Sequence, residues 1–489
     1  MNDERNDDLL RSRRTFLKLG AGAVAGLAAH PAAQGAAHST SPNRADAKPN
    51  FLFLVGEGLR ADELSLAGNR ILQTPHLDRI GEEGMRFKNA FVVNALCAPS
   101  RATILTGLYS HTTGCLDNEH RRVPAHIPIF TDLLHEADYE VAFFGKVHVG
   151  KTLTDRHWGD YFGFDAAATN YYHPRIAQGS GGQIGEPHVY QGYVDDVVTE
   201  RAVSWLLQKR ERPFFCLFMF QAPHDPFYRS RRNLDLYNGV PIPKPATFDD
   251  DLKGYPGKPR AFPEANNKIG TTILGDDDPR SLEEIVKDHY AGVVNNDQNF
   301  SSLLAAIEKT GKLEDTVILL TSDHGYFLGE WRFYDKRFMH EPSIRVPLLV
   351  RYPKLVKAGT VEEKMVLNLD LAPTVLDLAG IEVPEHVQGN SLVPLLKGSE
   401  AAVWRKDWLY EYYEYPEDNM VKPHRGVRTD RYKLIHYYLP PQEFELYDLQ
   451  NDPAELHNLY GEPGSADLFR QLMGRLQELR KETGDVTSG

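Results

Sequence analysis

Short apolar segments rich in aromatic and β-branched residues alternate along most of this chain with longer segments of helical periodicity. We predict buried strands at residues 51–55, 141–144, 214–220, 317–321 and 347–350. Ser281 and Glu284 have the spacing of a capping box, which predicts the start of a helix running towards Lys309. Because this alternation is typical of a sheet covered by helices, we expect an α/β fold with a doubly wound, mostly parallel sheet.

The pattern changes after Gly398. Aromatic and β-branched segments at 407–415, 426–438 and 443–449 are separated by turn-forming residues and followed by an amphipathic helix at 468–480. This predicts a smaller C-terminal antiparallel sheet with a closing helix. We therefore expect a catalytic domain at 49–398 and an α+β subdomain at 399–489. Residues 228–279 are rich in Pro, Gly and Asp, and are predicted to be a surface insertion near the substrate entrance.

The net charge of −13 argues against nucleic-acid and anionic-membrane partners, because both require a positive field. An anionic substrate must then be held by a few local cations. The chain has three cysteines, Cys97, Cys115 and Cys216, and none lies in a C-x-x-C metal pattern. Cys115 and Cys216 are expected to be structural thiols, or to pair with each other after export.

The N-terminus has the pattern of an export signal. Arg13 and Arg14 precede a small-residue apolar run at 19–29 and an alanine-rich stretch at 32–37. This resembles a twin-arginine signal over residues 1–38, followed by a flexible leader at 39–48. The apolar run is too short to be a stable membrane anchor. We expect passage through the twin-arginine export machinery and a periplasmic or secreted location.

Chemically active side chains follow several predicted strands directly. In open α/β sheets, ligands bind beyond the carboxyl ends of the strands, so these side chains are expected to meet at one edge. A lone histidine at such a place is more often an ordinary loop residue, but this coincidence at several strand ends favours a site. The residues concerned are Glu57, Lys146, His148, His224, Asp323 and His324.

Cys97 is expected at the start of a helix that Pro99 opens and that runs through residues 104–106. A cysteine at the positive end of a helix favours nucleophile formation. The alternative is a small buried hydrophobe. The neighbouring Ser100 and Arg101 favour the functional interpretation.

These residues carry a resemblance to a known family. Residues 97–101, C-A-P-S-R, with L-T-G at 105–107, are similar to the sulfatase signature in which the cysteine is oxidised to formylglycine. Three further segments of this chain resemble motifs of the same family: G-K-V-H at 145–148, A-P-H-D-P at 222–226 and S-D-H-G at 322–325. Asp335-Lys336 and E-P-S-I-R-V-P at 341–347 are similar to a further block. The chain thus resembles the formylglycine-dependent type I sulfatases of the alkaline phosphatase superfamily.

The resemblance implies a nucleophile and a cation. A maturase would convert Cys97 to formylglycine, whose hydrate attacks sulfur and then expels sulfate in a second step. Glu57, Cys97, Asp323 and His324 would bind a divalent cation. Because hard oxygen ligands predominate, Ca²⁺ is expected first and Mg²⁺ second.

The same resemblance implies roles for further residues. His148 would be the base that collapses the covalent sulfate, and His224 would protonate the leaving alcohol. Lys146 and Lys336 would hold the charge of the sulfate. Arg101 would orient the nucleophile.

The sequence departs from the family at residues 56–58, G-E-G, where relatives carry two adjacent carboxylates or a carboxylate and an amide. Glu57 can still donate an oxygen, but Gly58 has no side chain to offer. Three interpretations remain open: a cation site completed by water, Asp62 or another carboxylate; a weakened site; or a non-catalytic protein that binds sulfated glycans.

Residues 333–339 and 426–435 resemble bacterial sulfatases that act on sulfated glycans, including N-acetylglucosamine-6-sulfatases. A sulfated glycan is therefore the expected partner. His424 and Arg425 could reach a sugar from the small subdomain, or could equally be exposed loop residues. A phosphomonoester, phosphodiester or phosphonate hydrolase of the same superfamily is the principal rival function.

Overall fold

In the part of the chain that the structure describes, a mixed sheet of twelve strands lies at the centre of the fold. The computed structural model describes residues 48–249, 258–272, 277–399, 403–417 and 419–487. The predicted signal segment and the leader up to residue 47 lie outside the described residues.

The strands and helices of the described residues follow one another along the chain as the alternating pattern predicts. The strands are β1 (Asn50–Gly56), β2 (Met85–Phe91), β3 (Glu140–Lys146), β4 (Asp160–Phe164), β5 (Arg175–Ser180), β6 (Gln183–Ile184), β7 (His188–Val189), β8 (Phe214–Met219), β9 (Thr316–Ser322), β10 (Phe327–Leu328), β11 (Tyr334–Asp335), β12 (Arg345–Arg351), β13 (Thr360–Glu362), β14 (Val366–Leu367), β15 (Asp407–Tyr412), β16 (His424–Thr429), β17 (Tyr432–Tyr437) and β18 (Glu443–Asp448). The helices are α1 (Pro75–Glu82), α2 (Cys97–Thr106), α3 (Ser110–Thr113), α4 (Phe130–Glu136), α5 (Lys151–Thr154), α6 (Val194–Leu206), α7 (Ala261–Glu264), α8 (Leu282–Lys309), α9 (Glu341–Ile344), α10 (Leu371–Leu378), α11 (Val393–Leu396) and α12 (Ala466–Thr483).

The large sheet is parallel at its centre and mixed at its edges. Its strand order is β13-β2-β12-β9-β1-β8-β3-β4-β5-β6, with β14 beside β2 and β7 beside β5. The run β9-β1-β8-β3-β4 is parallel throughout, whereas β12 is antiparallel to both of its neighbours. The predicted fold class, a mostly parallel sheet flanked by helices, is confirmed.

Side chains of the central strands alternate between two apolar layers. Phe51, Phe53 and Val55 belong to one layer, and Leu52 and Leu54 belong to the other. Helices α2, α4 and α10 contribute to the first layer, and α1, α6 and α8 contribute to the second. Burial on both faces explains why β1 is continuously apolar instead of alternating with polar residues.

The longest helix begins and ends where its sequence signals place it. Helix α8 starts after Ser281, whose backbone N–H donates to Glu284 Oε2 at 2.8 Å, while its hydroxyl accepts from the backbone N–H of Glu284 at 3.3 Å. This reciprocal capping box satisfies two backbone donors at the helix start. The helix then packs along α6 and α1 beneath the sheet.

The parallel register aligns the carboxyl ends of the central strands. Val55 lies opposite both Met219 and Thr321, and Gly145 also lies opposite Met219. Gly145 has a φ of 109°, and a β-carbon there would lie 1.9 Å from the carbonyl oxygen of Met219. Only glycine fits this close approach, which brings the following Lys146 to the edge where β1, β8 and β9 end.

The C-terminal part forms the predicted antiparallel sheet, with strand order β15-β16-β17-β18, and α12 packs against it. The predicted segment 426–438 resolves into parts of two strands joined by a turn. Residues 48–489 group by their contacts into one unit, so a separate subdomain beginning at residue 399 stays a prediction. Among the described residues, no helix is both long and apolar enough to cross a bilayer.

Cys115 and Cys216 are both fully buried, but in different layers of the fold. Cys115 belongs to the layer containing α2, and Cys216 on β8 points into the layer containing α8. The sheet separates them, so the expected alternative that they pair is wrong. Burial raises the pKa of both thiols, which therefore stay protonated and serve as small apolar side chains.

Candidate active site at the carboxyl edge of the sheet

The expected side chains meet at the carboxyl edge of the parallel strands. Glu57 follows β1, Lys146 ends β3, and Asp323 and His324 follow β9. His224 lies in the loop after β8 and approaches the same point, with its Nε2 atom 4.0 Å from Glu57 Oε1. Except for His224, which is partly exposed, these side chains are 1% exposed or less.

Cys97 lies at the centre of this group, at the N-terminus of α2. The helix begins at Cys97 itself and not at Pro99, which occupies its first turn. The Sγ atom lies 3.3 Å from His324 Nε2, 3.6 Å from Glu57 Oε1 and 4.0 Å from Lys146 Nζ. Burial and the nearby carboxylate would raise the pKa of the thiol, but the surrounding cations, chiefly Lys146, hold it well below its usual value.

Arg101 joins the two carboxylates on the strand ends. Its Nε donates to Asp323 Oδ2 and its second terminal nitrogen donates to Glu57 Oε2, both at 2.9 Å. Its other terminal nitrogen donates to the carbonyl of Lys146 at 2.7 Å. Since Lys146 Nζ also donates to Glu57 Oε2 at 2.6 Å, two buried cations balance two buried carboxylates.

Burial and neighbouring charges shift the pKa of both carboxylates and of His324. Burial would raise the pKa of Glu57, but the charge of Lys146 and a hydrogen bond from His324 hold it well below its usual value. Burial and the charge of Glu57 raise the pKa of Asp323. Burial alone would lower the pKa of His324, but the charges of Asp323 and Cys97 raise it to about 10.

The donor set suits a divalent cation. One ligand atom from each of Glu57, Cys97, Asp323 and His324 lies within 4.8 Å of every other, and all four residues are buried. The two carboxylates supply hard oxygen donors, and the imidazole Nδ1 is fixed by the carbonyl of Gly325 at 2.8 Å, which leaves Nε2 facing the group. These residues therefore fit the cation that the motifs imply.

At Gly58 the family resemblance implies a carboxylate or an amide, and the structure shows what occupies that space. A β-carbon at Gly58 would lie 2.8 Å from Cδ2 of the buried Tyr326, and the backbone there has a φ of 62°. The Gly58 N–H donates to Asp323 Oδ1 at 3.2 Å, so this residue still contacts the site through its backbone. Asp62 does not complete the site: its carboxylate is 61% exposed and pairs with Arg60.

His148 and His224 flank the cysteine from different strands. His148 adopts a left-handed backbone conformation, with a φ of 50°, and its buried Nδ1 has no hydrogen-bond partner among the described residues. Burial lowers the pKa of His148 to about 4. For His224, burial would lower the pKa, but Asp225, with its carboxylate 3.1 Å from Nδ1, raises it above the usual value.

Lys336 approaches from the loop before α9 and is held by residues that the sequence interpretation did not assign. Its Nζ lies 2.9 Å from Asp335 Oδ1, and Arg337 contacts the other oxygen of that carboxylate. Arg337 also pairs with Glu414 at 3.2 Å, and Asn267 of the insertion donates to Asp335 at 2.6 Å. The run of three charged residues at 335–337 is the sequence feature that could have predicted this network.

His424 and Arg425 do not reach the site. His424 is fully buried among aromatic rings, and its Nδ1 faces the carbonyl of Lys422 at 2.8 Å. Arg425 is 1% exposed, pairs with Asp485 at 3.0 Å and lies over the ring of Tyr438. His424 and Arg425 are neighbours on β16 and point to opposite faces of the sheet, and both faces are packed. Neither residue contacts the site, and neither lies in an exposed loop.

Comparison with known proteins identifies the family. The sequence model of the family described as sulfatase matches residues 49–381, and that described as N-sulphoglucosamine sulphohydrolase, C-terminal, matches residues 329–482. The chain belongs to the sulfatase family. The resemblance inferred from the motifs is thereby confirmed, and so is the expectation of a sulfuric ester hydrolase.

Individual relatives agree with this assignment. The sulfatase is 35% identical to an N-acetylglucosamine-6-O-sulfatase of Bacteroides thetaiotaomicron over 93% of this chain and 90% of the relative. It also resembles a protein solved in complex with its substrate D-glucosamine-2-N,6-O-disulfate, with a TM-score of 0.83, 34% identity and coverage of 90% and 99%. A phosphonate monoester hydrolase of Agrobacterium radiobacter shares the fold at 20% identity, with a TM-score of 0.70 and coverage of 89% and 96%.

Proposed function

We propose that this sulfatase removes a sulfate ester from a sulfated sugar, with glucosamine 6-sulfate units as its first expected substrates. The observation that carries the proposal is the buried group of Glu57, Cys97, Asp323 and His324, whose ligand atoms lie within 4.8 Å of one another. The relatives named for N-acetylglucosamine-6-sulfate and for glucosamine disulfate support the choice of sugar.

Residue 97 would supply the nucleophile after a maturase has oxidised the cysteine to formylglycine. The Sγ atom stands for the hydroxyl oxygen of the hydrated aldehyde, at the N-terminus of α2 and beside Lys146 and His324. The helix end and the lysine both stabilise negative charge on an oxygen at this place.

Glu57, Asp323, His324 and residue 97 would hold the divalent cation, with Ca²⁺ first and Mg²⁺ second. A bound cation of this kind polarises a sulfate oxygen and stabilises an ionised hydroxyl. Arg101 fixes both carboxylates in place by its two hydrogen bonds, and thereby orients the group that surrounds the nucleophile.

Further side chains would act on the sulfate and the protons. Lys146 and Lys336 would bind sulfate oxygens from two sides. His224 would give a proton to the leaving alcohol in the first step. In the second step His148 would take the proton of the other hydroxyl of residue 97, the one not bonded to sulfur, so that the aldehyde reforms and sulfate leaves. The two histidines follow neighbouring strands, β3 and β8, which allows each of them to serve a different side of the sulfate.

Arg13 and Arg14 with their apolar flank support twin-arginine export and a periplasmic or secreted location. Export of a folded protein suits an enzyme that acquires a modification and a cation before leaving the cytoplasm. Replacing both arginines by lysine in the full chain and measuring the exported fraction tests this part separately.

Steady-state kinetics on matched substrates tests the reaction. A sulfate and a phosphate ester of one phenol are compared first, followed by sulfated glucosamines that differ only in sulfate position, each with Ca²⁺ and with chelator. We expect higher kcat/KM for the sulfate ester, a preference for the 6-sulfate and loss of turnover with chelator. Preference for phosphate would favour the rival hydrolase. Absent turnover, together with an unmodified Cys97 peptide by mass spectrometry in protein made by its native host, would favour a binding protein.

A further inference from the structure

A pocket of about 510 Å³ lies beside the loop that carries His224. Tyr172 and His173 form one side of it, and Arg231 and Arg232 form another. None of these residues is among those proposed to bind the sulfate or the cation. The pocket is a separate concavity on the side of the fold where β8 ends.

The pocket carries an uncompensated positive charge. Arg232 is neutralised by Asp196 at 2.8 Å and also donates to Asn295 and Asn299 at 2.9 Å. Arg231 is exposed, forms no ion pair with any described residue, and lies 5.8 Å from the centre of the Tyr172 ring. A guanidinium held over an aromatic ring with its donors free is suited to bind a sulfate or carboxylate through paired hydrogen bonds.

Tyrosine hydroxyls join the segments around this pocket to the loop that carries His224. Tyr171 donates to the carbonyl of His224, and Tyr172 donates to the carbonyl of Arg229. Tyr193, which also lines the pocket, donates to the carbonyl of Tyr228 at 2.9 Å. Tyr228 is 57% exposed and lies along the chain between His224 and Arg231, and an exposed ring of this kind offers an apolar face to a sugar.

The direction of the substrate follows from the proposed reaction, on which this inference rests. In the proposed reaction His224 protonates the leaving oxygen, so the sugar that carries this oxygen would lie beside His224, whose loop continues through Tyr228 to Arg231. We propose that the pocket is a second anion-binding subsite, which holds a sulfate or carboxylate on the neighbouring sugar residue. The sulfatase would then favour oligosaccharides with a second charged group over single sulfated sugars.

Three substrates separate this subsite from the catalytic group: a glucosamine 6-sulfate monosaccharide, a disaccharide with an uncharged neighbouring residue, and the same disaccharide with a sulfate on that residue. The Arg231→Gln variant is compared with Arg470→Gln, which removes an arginine on α12 with a side chain that is 70% exposed. We expect Arg231→Gln to raise KM roughly tenfold for the doubly charged disaccharide alone. Arg470→Gln should match the wild type on all three.

The salt dependence gives a second readout. Because an exposed ion pair is screened, the preference of the wild type for the doubly charged disaccharide should decrease from low salt to 1 M NaCl. If the wild type turns over the monosaccharide but Arg231→Gln changes KM equally for all three substrates, or for none of them, the subsite alone is overturned. No turnover of any sulfated sugar by the wild type would overturn the proposed function and the subsite together.

Discussion

The ring of Tyr326 fills the space that any side chain at position 58 would need, with its Cδ2 atom 2.8 Å from the β-carbon position of Gly58. Tyr326 is buried, and the backbone N–H of Gly58 donates to Asp323. Gly58 therefore contacts the site through its backbone, while the tyrosine ring fills the space on its side-chain side.

This arrangement predicts that a carboxylate introduced at position 58 destabilises the fold. Gly58→Asp should destabilise the fold by about 1–3 kcal/mol, because the new side chain overpacks against Tyr326. In a Tyr326→Ala background the same substitution should cost less, since the ring is gone. Urea denaturation of the four proteins of this cycle measures the difference. Gly181→Asp is the matched control, because Gly181 has a φ of 60° and open space around its β-carbon position.

Glu57 should be required for both the cation and the fold of the site. Glu57→Ala removes one anionic ligand and leaves Arg101 and Lys146 without the carboxylate that pairs with both. Leaving a buried charge unpaired costs about 3–5 kcal/mol, so the variant should bind less cation, turn over more slowly and unfold more easily. Metal analysis by mass spectrometry, kcat/KM and denaturation measure these effects. Glu57→Asp should recover part of the cation occupancy, and unchanged occupancy and activity in Glu57→Ala would remove Glu57 from the site.

The central strands and the site motifs could be predicted because the responsible signals are local. Strand β1 is apolar at every position that faces either layer, and the functional residue follows it at once. The same holds for β3 and β9, where Lys146 and Asp323 mark the strand ends. Parallel pairing then brings the ends together without any further information from the sequence.

Other parts of the site depend on contacts between distant segments, which no local pattern reveals. The pairing of Arg337 with Glu414 joins residues 77 positions apart, and Asn267 reaches Asp335 over 68 positions. From the sequence, a sugar contact and an exposed loop position fit His424 equally well, because it lies just before the segment that resembles glycan sulfatases. The structure instead encloses it among Tyr410, Tyr412 and other rings.

A buried lysine joins the insertion to the C-terminal sheet and should stabilise the fold. Lys258 Nζ lies 3.1 Å from Glu445 Oε2 and 2.6 Å from the hydroxyl of Tyr447, and the two charged side chains are at most 1% exposed. Lys258→Met keeps the aliphatic stem but leaves Glu445 without its main counter-charge, at a cost of about 3–5 kcal/mol. The double variant Lys258→Met/Glu445→Gln should recover most of that loss. Equal stability of the wild type and Lys258→Met would show that the pair contributes nothing.

His111 should make stability depend on pH. Its Nδ1 lies 2.6 Å from Glu411 Oε2, and its Nε2 lies 3.0 Å from the carbonyl of Thr483 in α12. A neutral imidazole has one N–H, so only the charged ring donates to both acceptors. Burial would lower the pKa of His111, but its hydrogen bond to Glu411 and the charge there raise it above the usual 6.5.

The sign of the effect follows from this raised pKa in the folded state. The stabilisation is complete below the pKa of the unfolded chain and is lost as the pH rises through the higher pKa of the folded protein. The free energy of unfolding should therefore decrease as the pH rises above 6.5. His111→Gln keeps hydrogen-bonding capacity but cannot titrate, so its stability should change less over that range. Urea denaturation of both proteins at closely spaced pH values measures the two slopes, and identical slopes would show that His111 is not the titrating group.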